Sequence, residues 1–259
     1  MTTTTADVPA DQRAFGIDVG GTGIKGGIVD LSTGALIGER LKIATPQPAT
    51  PAAVAETAAE LTRRFEWDGP VGLTLPSVVK DGVALTAANI DKAWIGTDAR
   101  ALFSEALGGR AVRVLNDADA AGLAEYHYGA GKDVSGLVIL LTFGTGIGSA
   151  IIHDGVLLPN TEFGHMELDG DDAEHSAAAS VRDERHLSWD EWTPYVSRFL
   201  RKMEDLFWPD LFIAGGGVSR KGHKWIPLLD NRTNVVAATL KNTAGIVGAA
   251  MAVAADLPN

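Results

Sequence analysis

The 259-residue chain contains no cysteine. This absence excludes disulfides, thiolate zinc sites, iron–sulfur clusters and a catalytic thiol. Basic residues are also in the minority, because 22 Lys and Arg stand against 33 Asp and Glu, a formal net charge of −11. Proteins that coat nucleic acid collect phosphates on broad basic faces. The charge balance therefore argues against a nucleic-acid partner, while it still allows a local basic groove.

Long apolar runs are missing as well. No run approaches the ~20 residues that cross a membrane, and the first residues, MTTTTADVPADQR, lack the apolar stretch of a secretory signal. We therefore predict a cytoplasmic protein without a membrane partner and with a disordered tail over residues 1–13. The 46% of apolar residues are enough for a sizeable core.

The rest of the chain has the pattern of an α/β protein, with strands and helices in alternation. Apolar runs between turn residues predict strands at 15–19, 24–30, 35–43, 71–75, 111–115, 136–143, 149–152 and 211–214. Helical spacing and capping residues predict helices near 51–65, 97–107, 118–128, 189–203 and 243–255. Thr50 is the predicted cap of the first of these helices, with Pro51 at its first position. The polar segment 167–186, rich in His, Asp and Glu, is expected to be a loop.

The helix expected near residues 189–203 contains a proline. Ser188 and Glu191 have the spacing of a capping box at its start. Pro194 does not suit a helix interior, because proline lacks the N–H that bonds to the preceding turn. We expect the helix to kink there, or to restart with Thr193 as cap and Pro194 at the first position.

One pattern occurs twice, about half the chain apart. Residues 17–24 and 141–147 both consist of a strand, a Gly-Thr-Gly turn and the start of a second strand. Duplicated units are a sign of fold symmetry. We therefore predict two similar lobes that face one cleft, with a chance match of a short motif as the alternative.

Each glycine turn is a candidate phosphate site. Without a Cβ, glycine lets backbone N–H groups converge on an anion, and Thr22 and Thr145 add hydroxyl donors. Two ordinary hairpins are the alternative, since hairpins often contain glycine. Neither turn has the Gly-Lys-Ser/Thr of a Walker A loop or the context of a dinucleotide-binding GxGxxG motif.

Carboxylates stand where predicted strands end. Asp18 precedes the first glycine turn, where it can hold Mg²⁺ beside a phosphate or simply cap the turn. Asn116 and Asp117 follow a buried strand, and ligands gather at the carboxyl ends of strands in α/β sheets. There Asp117 can take a hydroxyl proton during phosphoryl transfer, and Asn116 can hydrogen-bond a polyol. Capping of the next helix is the alternative, and Asp119 competes for the role of base.

Two further motifs contain candidate binding residues. Glu162 and His165 can exchange hydrogen bonds with vicinal sugar hydroxyls. The spacing of His165, His175 and His186 is too irregular to predict a metal site. The segment 215–217, three glycines after a strand, allows close approach of a ligand or forms a tight turn.

Taken in order, these motifs resemble those of the hexokinase–actin–Hsp70 superfamily and, within it, the ROK family of bacterial sugar kinases. The segments that carry the resemblance are DVGGTGIK at 18–25, LNDADA at 115–120, LTFGTGIG at 141–148, EFGH at 162–165 and AGGGV at 214–218. The resemblance implies a two-lobed actin/hexokinase-like (ribonuclease H-like) α/β fold with duplicated sheets around a central cleft. It implies a small lobe over 14–115, joined by the C-terminal helix over 243–255, and a large lobe over 116–242.

The resemblance also implies a role for each candidate residue. Asp117 would be the general base that removes the proton of the sugar 6-hydroxyl. The residues that bind the sugar would be Asn116, Asp117, Glu162, His165 and Glu184, the last in place of a Glu that follows a zinc motif missing here. The residues that bind phosphate would be Asp18, Gly20, Gly21, Thr22, Gly23, Lys25, Thr142, Gly144, Thr145, Gly146, Gly215, Gly216 and Gly217. Mg²⁺ is the implied cofactor, with Asp18 as its ligand, and no zinc is expected.

The zinc-free pattern is similar to the branch of the family that uses inorganic polyphosphate. Further segments that resemble this branch are LPSVV at 75–79, TAANI at 86–90, WIGTD at 94–98 and LSWDEW at 187–192. We therefore predict a homodimeric kinase that phosphorylates glucose from polyphosphate, with ATP as a second donor and mannose as a second acceptor. The net charge of −11 opposes a polyanion partner, so backbone N–H groups and a few local lysines must offset it. The candidate lysines for an anionic groove are Lys25, Lys80, Lys92, Lys132, Lys221 and Lys224.

Three alternatives stay open from the sequence. The first is a strictly ATP-dependent hexose kinase of the same family. The second is a repressor of the family, which carries a helix-turn-helix before the kinase fold; about 14 residues precede the first predicted strand here, too few for one. The third is an actin-like filament or a sugar sensor, which should lack the base, and the presence of Asn116 and Asp117 argues against it.

Overall fold

The computed structural model describes residues 8–87 and 90–255. The chain divides into two compact units. The first consists of the described residues of Met1–Ala124 and Thr243–Asn259, and the second consists of Glu125–Asn242. Each unit contains one five-stranded sheet and an apolar core of its own.

The first unit contains seven strands among its described residues: β1 (Arg13–Gly20), β2 (Gly23–Asp30), β3 (Ala35–Ile43), β4 (Val71–Leu75), β5 (Val79–Lys80), β6 (Val83–Ala84) and β7 (Val112–Asn116). Its helices are α1 (Pro51–Arg64), α2 (Ala99–Ala106) and the beginning of α3 (Asp117–Tyr128). Thr50 caps α1 as expected, because its side chain accepts a hydrogen bond from the Ala53 N–H.

The second unit begins within α3 and contains the remaining strands: β8 (Leu137–Phe143), β9 (Ile147–His153), β10 (Val156–Leu158), β11 (Glu167–Leu168), β12 (Asp171–Asp172), β13 (Leu211–Gly215) and β14 (Val235–Ala237). Its helices are α4 (Glu174–Ala177), α5 (Ala179–Glu184), α6 (Trp189–Phe207) and α7 (Gly222–Trp225). The chain then returns to the first unit with α8 (Ala244–Ala254).

The two large sheets have the same topology. Their strand orders are β3-β2-β1-β4-β7 and β10-β9-β8-β13-β14. In both, three strands joined by hairpins are antiparallel, and two further strands run parallel to the first strand of that set. This equivalence confirms the duplication that the two glycine motifs predict.

One parallel strand lies in the interior of each sheet, β4 in the first and β13 in the second. Every residue of β4 and of β13 is buried, as expected for strands covered on both faces. In the first unit α8 packs directly on the sheet, because a Cβ at Gly16 or Gly72 would lie 1.9 or 1.8 Å from a backbone oxygen of this helix. The missing side chains of Gly16 and Gly72 make this close approach possible.

The division between the units lies within α3. The predicted lobe boundary, after residue 115, falls at the start of this helix, whereas the structure keeps residues up to Ala124 in the first unit. The reason is packing: a Cβ at Gly248 of α8 would lie 1.9 Å from the Ala120 carbonyl oxygen. The first turn of α3 and the middle of α8 thus lie in close backbone contact.

Three sequence expectations need correction, and the first is the loop at 167–186. This segment forms β11, β12, α4 and α5. Its polar residues hide a small apolar face, made by the buried Ala173, Ala177, Ala178 and Val181. Helices this short are stabilised mainly by tertiary burial, which the sequence pattern does not display.

The second correction concerns the N-terminal tail. Of the predicted disordered segment, residues 1–7 lie outside the described residues. Ala10–Gln12 forms a short 3₁₀-helix and Arg13 begins β1. Val8 is 7% exposed and belongs to the core of the first unit, so burial orders this part of the chain.

The third correction concerns Pro194. Helix α6 runs without a break from Trp189 to Phe207, so the predicted restart at Thr193 is wrong. Ser188 forms the predicted capping box with Glu191. Burial of Trp192 and Val196, on either side of the proline, favours a continuous helix despite the missing hydrogen bond.

None of the helices in residues 8–87 and 90–255 has the length and apolar character that a membrane crossing requires.

Candidate phosphate and sugar sites

The first glycine turn connects β1 and β2. Gly20 pairs with Gly23, and the exposed Gly21 and Thr22 form the turn between them. Two side chains hold the carbonyl groups of this turn: the Thr45 hydroxyl donates to Gly20 O at 2.5 Å, and the Gln47 amide donates to Gly21 O at 3.4 Å. The turn is therefore anchored through its carbonyl oxygens and exposed to solvent.

A fixed carboxylate stands beside this turn. Asp18 and Lys25 are opposite each other in the β1–β2 register, and the Lys25 ammonium lies 2.9 Å from Asp18 Oδ2. The Thr74 hydroxyl donates to Asp18 Oδ1 at 3.1 Å. A Cβ at Gly245 would lie 2.9 Å from the same oxygen, so the N-terminal turn of α8 also borders the carboxylate. A helix N-terminus is a favourable place for negative charge.

Asp18 suits Mg²⁺ bound in one particular way. Mg²⁺ is usually held by one or two carboxylates together with substrate phosphates, and Asp18 offers one carboxylate at a candidate phosphate turn. The Lys25 ammonium already contacts Oδ2 of Asp18, so a cation bound to that oxygen would share it with Lys25. Across the described residues, no group of three or more His, Asp or Glu is arranged to bind a metal with protein ligands alone.

Asn116 and Asp117 lie at the junction of β7 and α3. The Asn116 side chain accepts hydrogen bonds from the N–H groups of Ala118 (2.8 Å) and Asp119 (3.1 Å), and its amide donates to Ser77 O at 3.1 Å. It is 6% exposed and caps α3, as the alternative interpretation predicts. This structural role occupies much of its hydrogen-bonding capacity.

The two candidate bases differ in their access to solvent. Asp119 is 1% exposed, which argues against proton transfer with a bound substrate. Asp117 is partly exposed, and its Oδ1 accepts a hydrogen bond from the Ala118 N–H at 2.9 Å. Of the two carboxylates, only Asp117 is accessible and oriented at the end of a strand.

The second glycine turn connects β8 and β9 through residues 144–146. The Gly144 N–H donates to Gly146 O at 2.9 Å, which closes the turn. Ser180 anchors it from α5: its N–H donates to Gly144 O at 3.0 Å, and its hydroxyl donates to Thr145 O at 2.7 Å. As in the first unit, residues outside the hairpin hold the turn by its carbonyl oxygens.

Glu162 precedes the short 3₁₀-helix Phe163–His165, and His165 is its last residue. His165 Nδ1 lies 2.8 Å from Asp172 Oδ2, and this hydrogen bond raises the pKa of the imidazole above its ordinary value. The surrounding protein partly desolvates the Glu162 carboxyl, which raises its pKa, although the side chain keeps access to solvent. The charge of His165 opposes that shift, and the charge of Glu174 adds to it.

Glu174 belongs to this site, and sequence reasoning missed it. Its Oε2 accepts a hydrogen bond from the Ile147 N–H at 2.9 Å, directly after the second glycine turn. A Cβ at Gly146 would lie 2.4 Å from this oxygen, and a Cβ at Gly164 would lie 2.7 Å from it. The carboxylate therefore fits only because both neighbouring positions are glycine.

Glu184, the residue predicted for the last sugar contact, is an exposed residue at the end of α5. Within residues 8–87 and 90–255, Glu184 forms no hydrogen bond or ion pair with Glu162 or His165, whereas the charge of Glu174 acts on both. Nothing in the sequence near Glu174 marks it, because the segment has the composition of a solvated loop. The paired glycines at 146 and 164 are the only signal, and they lie far from it in sequence.

The three glycines at 215–217, where β13 ends, have different surroundings. Gly215 pairs with Thr142 of β8. Gly216 has a φ of 78°, and its Cβ would lie 2.2 Å from Phe143 O, so glycine is required there by the backbone. Gly217 has open space around the Cβ position and borders a cavity.

The model of the ROK family matches residues 14–180 of the chain. The chain belongs to the ROK family. It is 62% identical over 255 residues to the polyphosphate glucokinase of Mycobacterium tuberculosis, and the match covers 98% of this chain and 96% of that protein. This ROK protein therefore matches that relative over nearly its whole length.

Solved structures of ROK proteins have the same fold. The inorganic polyphosphate/ATP-glucomannokinase of Arthrobacter sp. strain KM is 51% identical, with a TM-score of 0.90 over 95% of this chain and 99% of that chain. The ROK glucokinase of Streptomyces griseus, solved with glucose and AMPPNP, is 26% identical, with a TM-score of 0.80 over 93% of this chain and 99% of that chain. The predicted family and the predicted α/β fold of the actin/hexokinase type, with duplicated sheets, are thereby confirmed. In segment 86–90, one of those that resemble the polyphosphate branch, Ala88 and Asn89 lie outside the described residues.

Proposed function

We propose that this ROK protein transfers a phosphoryl group from inorganic polyphosphate to the 6-hydroxyl of glucose. The observation that carries the proposal is the 62% identity, over 98% of the chain, to a protein named polyphosphate glucokinase. The exposed glycine turns and the accessible carboxylate at the end of β7 support it, since phosphoryl transfer depends mainly on positioning and charge neutralisation.

Asp117 is the proposed general base. Its hydrogen bond from the Ala118 N–H orients the carboxylate at the start of α3, and its partial exposure allows contact with a sugar hydroxyl. The carboxylate takes the proton as the hydroxyl oxygen attacks phosphorus, and the remaining polyphosphate leaves.

The sugar ligands we propose are Asn116, Glu162, His165 and Glu174. With His165 Nδ1 held by Asp172, its Nε2 is the nitrogen available for a sugar hydroxyl. Glu174 takes the place in this set that the sequence assigned to Glu184, because its carboxylate lies beside Gly164 and the second glycine turn. The sugar role of Glu184 stays a prediction from the resemblance alone.

The phosphate groups are assigned to the two glycine turns. Backbone N–H groups at 20–23 and 145–146 and the hydroxyls of Thr22 and Thr145 would bind the anhydride oxygens. The ammonium of Lys25 and Mg²⁺ held by Asp18 would offset the charge of these phosphates; Mg²⁺ supplies charge neutralisation of the transferring group when bound. The proposal also assigns phosphate binding to four residues of the second unit: Thr142, Gly215, Gly216 and Gly217.

ATP is the second donor that we propose, and mannose is the second acceptor. The Arthrobacter relative is named as a polyphosphate/ATP-glucomannokinase, and the Streptomyces griseus glucokinase was solved with AMPPNP. A strictly ATP-dependent hexose kinase is the competing function. The homodimer and the cytoplasmic location stay predictions.

The Asp117→Asn variant tests the role of the base. We expect it to fold like the wild type and to bind glucose, while kcat with polyphosphate falls by about 10²- to 10⁴-fold. A coupled assay for glucose 6-phosphate measures the rate, and glucose titration with thermal melting measures binding and folding. Asp133→Asn, at an exposed position whose φ of 66° suits asparagine, is the matched control. Near-full activity of Asp117→Asn would show that another group acts as base.

A further inference from the structure

A cavity of about 380 Å³ opens beside the second glycine turn, within the second unit. Its lining includes the turn itself, the middle of α5, the start of α6 and the 3₁₀-helix Gly217–Lys221. The residues that matter here are Gly144, Thr145, Ser180, Arg182, Trp189 and Lys221. Gly144 and Thr145 are also candidate phosphate ligands, so an anhydride chain held at the turn can continue into this cavity.

The cavity is locally basic in an acidic protein. Its lining contains two cations, Arg182 and Lys221, and one acid, Asp183. The Arg182–Asp183 ion pair, at 2.7 Å, involves an aspartate that is 74% exposed, so solvent weakens it and a polyanion can compete for the guanidinium. Lys221 is exposed, and it forms no ion pair within the part of the chain that the structure describes.

The aromatic residue of the cavity holds Arg182 in place. The Arg182 guanidinium lies 3.7 Å from the centroid of the Trp189 ring, in a cation–π contact. This contact covers one face of the indole and holds the guanidinium at the wall of the cavity. Arginine held in this way suits bidentate binding of phosphate oxygens.

We propose that this cavity binds the part of the polyphosphate chain that lies beyond the reacting phosphates, through Arg182 and Lys221. The inference rests on the proposed function and refines it, since it adds a site for the distal chain. The ligand class is a linear phosphate anhydride longer than the triphosphate of ATP. A long chain carries negative charge along its whole length, whereas ATP continues as a neutral nucleoside after its third phosphate.

The test compares three donors in the full-length protein: long-chain polyphosphate, tripolyphosphate and ATP. The variants are Arg182→Gln and Lys221→Gln, which remove one positive charge each and keep a polar side chain. For each variant we expect kcat/KM with long-chain polyphosphate to fall by about tenfold. We expect kcat/KM with tripolyphosphate and with ATP to change by less than about threefold.

Lys202→Gln is the matched control. Lys202 is exposed on α6, about 20 Å along the helix from Trp189 at 1.5 Å per residue, and it does not line the cavity. The Lys202→Gln variant loses the same charge as the two test variants, so it corrects for a general effect of net charge. We expect its kcat/KM with every donor to stay within about twofold of the wild type.

The remaining outcomes contradict the inference. Equal losses with all three donors would mean that the cations serve phosphates shared by every donor, and a loss with ATP alone would identify a nucleoside site. Variants whose kcat/KM is unchanged with every donor would show that the cavity holds no part of the polyphosphate chain. If Arg182→Gln unfolds, the exposed Lys221→Gln decides the question. A wild type that does not use polyphosphate at all would overturn the proposed function itself, which is a separate result.

Discussion

The two glycine turns occupy the same place in two equivalent sheets, yet their surroundings differ. Two residues before the first turn stands Asp18, paired with Lys25, and two residues before the second stands the neutral Thr142. The second turn has its carboxylate on another element, since Glu174 accepts the Ile147 N–H. The duplicated frame therefore supplies two glycine turns in equivalent places, and the charged residues around each turn differ.

The largest difference in rate is expected between variants of Asp18 and Thr142, the residues two positions before the first and the second glycine turn. We expect Asp18→Asn to lower kcat by about a hundredfold, because it removes the carboxylate proposed to hold Mg²⁺. Thr142→Val should lower kcat by less than about tenfold, since a neutral hydroxyl donates a single hydrogen bond. Steady-state rates over a range of Mg²⁺ concentrations measure both, and the Asp18 variant should respond far less to Mg²⁺. Equal losses would mean that the two turns are functionally equivalent.

A smaller effect concerns stability around the second turn. Gly146→Ala should destabilise the protein by about 1–3 kcal/mol, because the new Cβ would lie 2.4 Å from Glu174 Oε2. Gly144→Ala is the matched control, as its Cβ would meet no atom closer than 4.0 Å, and it should cost less than about 0.5 kcal/mol. Urea unfolding measures both. Similar free energies of unfolding for the two variants would contradict the packing of Glu174 against the turn.

The smallest effect concerns pH, and it should arise in the second unit, which contains all six histidines. The hydrogen bond to Asp172 raises the pKa of His165, so its stabilisation is fully present below about pH 6.5 and is lost as pH rises through the raised pKa. We expect Asp172→Asn to lower Tm most between about pH 5 and 6, and the difference from the wild type to vanish at higher pH. NMR titration should place the pKa of His165 lower in the variant. A His165 pKa that stays the same in the variant would show that Asp172 does not cause the shift.

Much of the fold follows from local sequence signals. The apolar runs at 71–75 and 211–214 mark the buried strands β4 and β13, and the duplicated glycine motif predicts the repeated sheet. Thr50 before α1 and Ser188 before α6 are correct as caps because capping depends on neighbours within the same turn.

The errors arise where distant contacts decide the structure. Segment 167–186 has a polar composition, and its short helices exist because Ala177 and Val181 are buried by the rest of the unit. Glu174 reaches the second turn through space left by Gly146 and Gly164, a relation that no local pattern contains. The sugar role that the resemblance implies for Glu184 stays a prediction, because a predicted loop offers no geometry by which to rank its acidic residues.

The central claim is that this ROK kinase uses inorganic polyphosphate to phosphorylate glucose. The most direct measurement is the amount of glucose 6-phosphate formed by the purified, nucleotide-free protein from glucose, Mg²⁺ and long-chain polyphosphate. The account predicts that glucose 6-phosphate forms in proportion to the phosphate residues lost from the chain. Formation of glucose 6-phosphate only after ATP is added would contradict it.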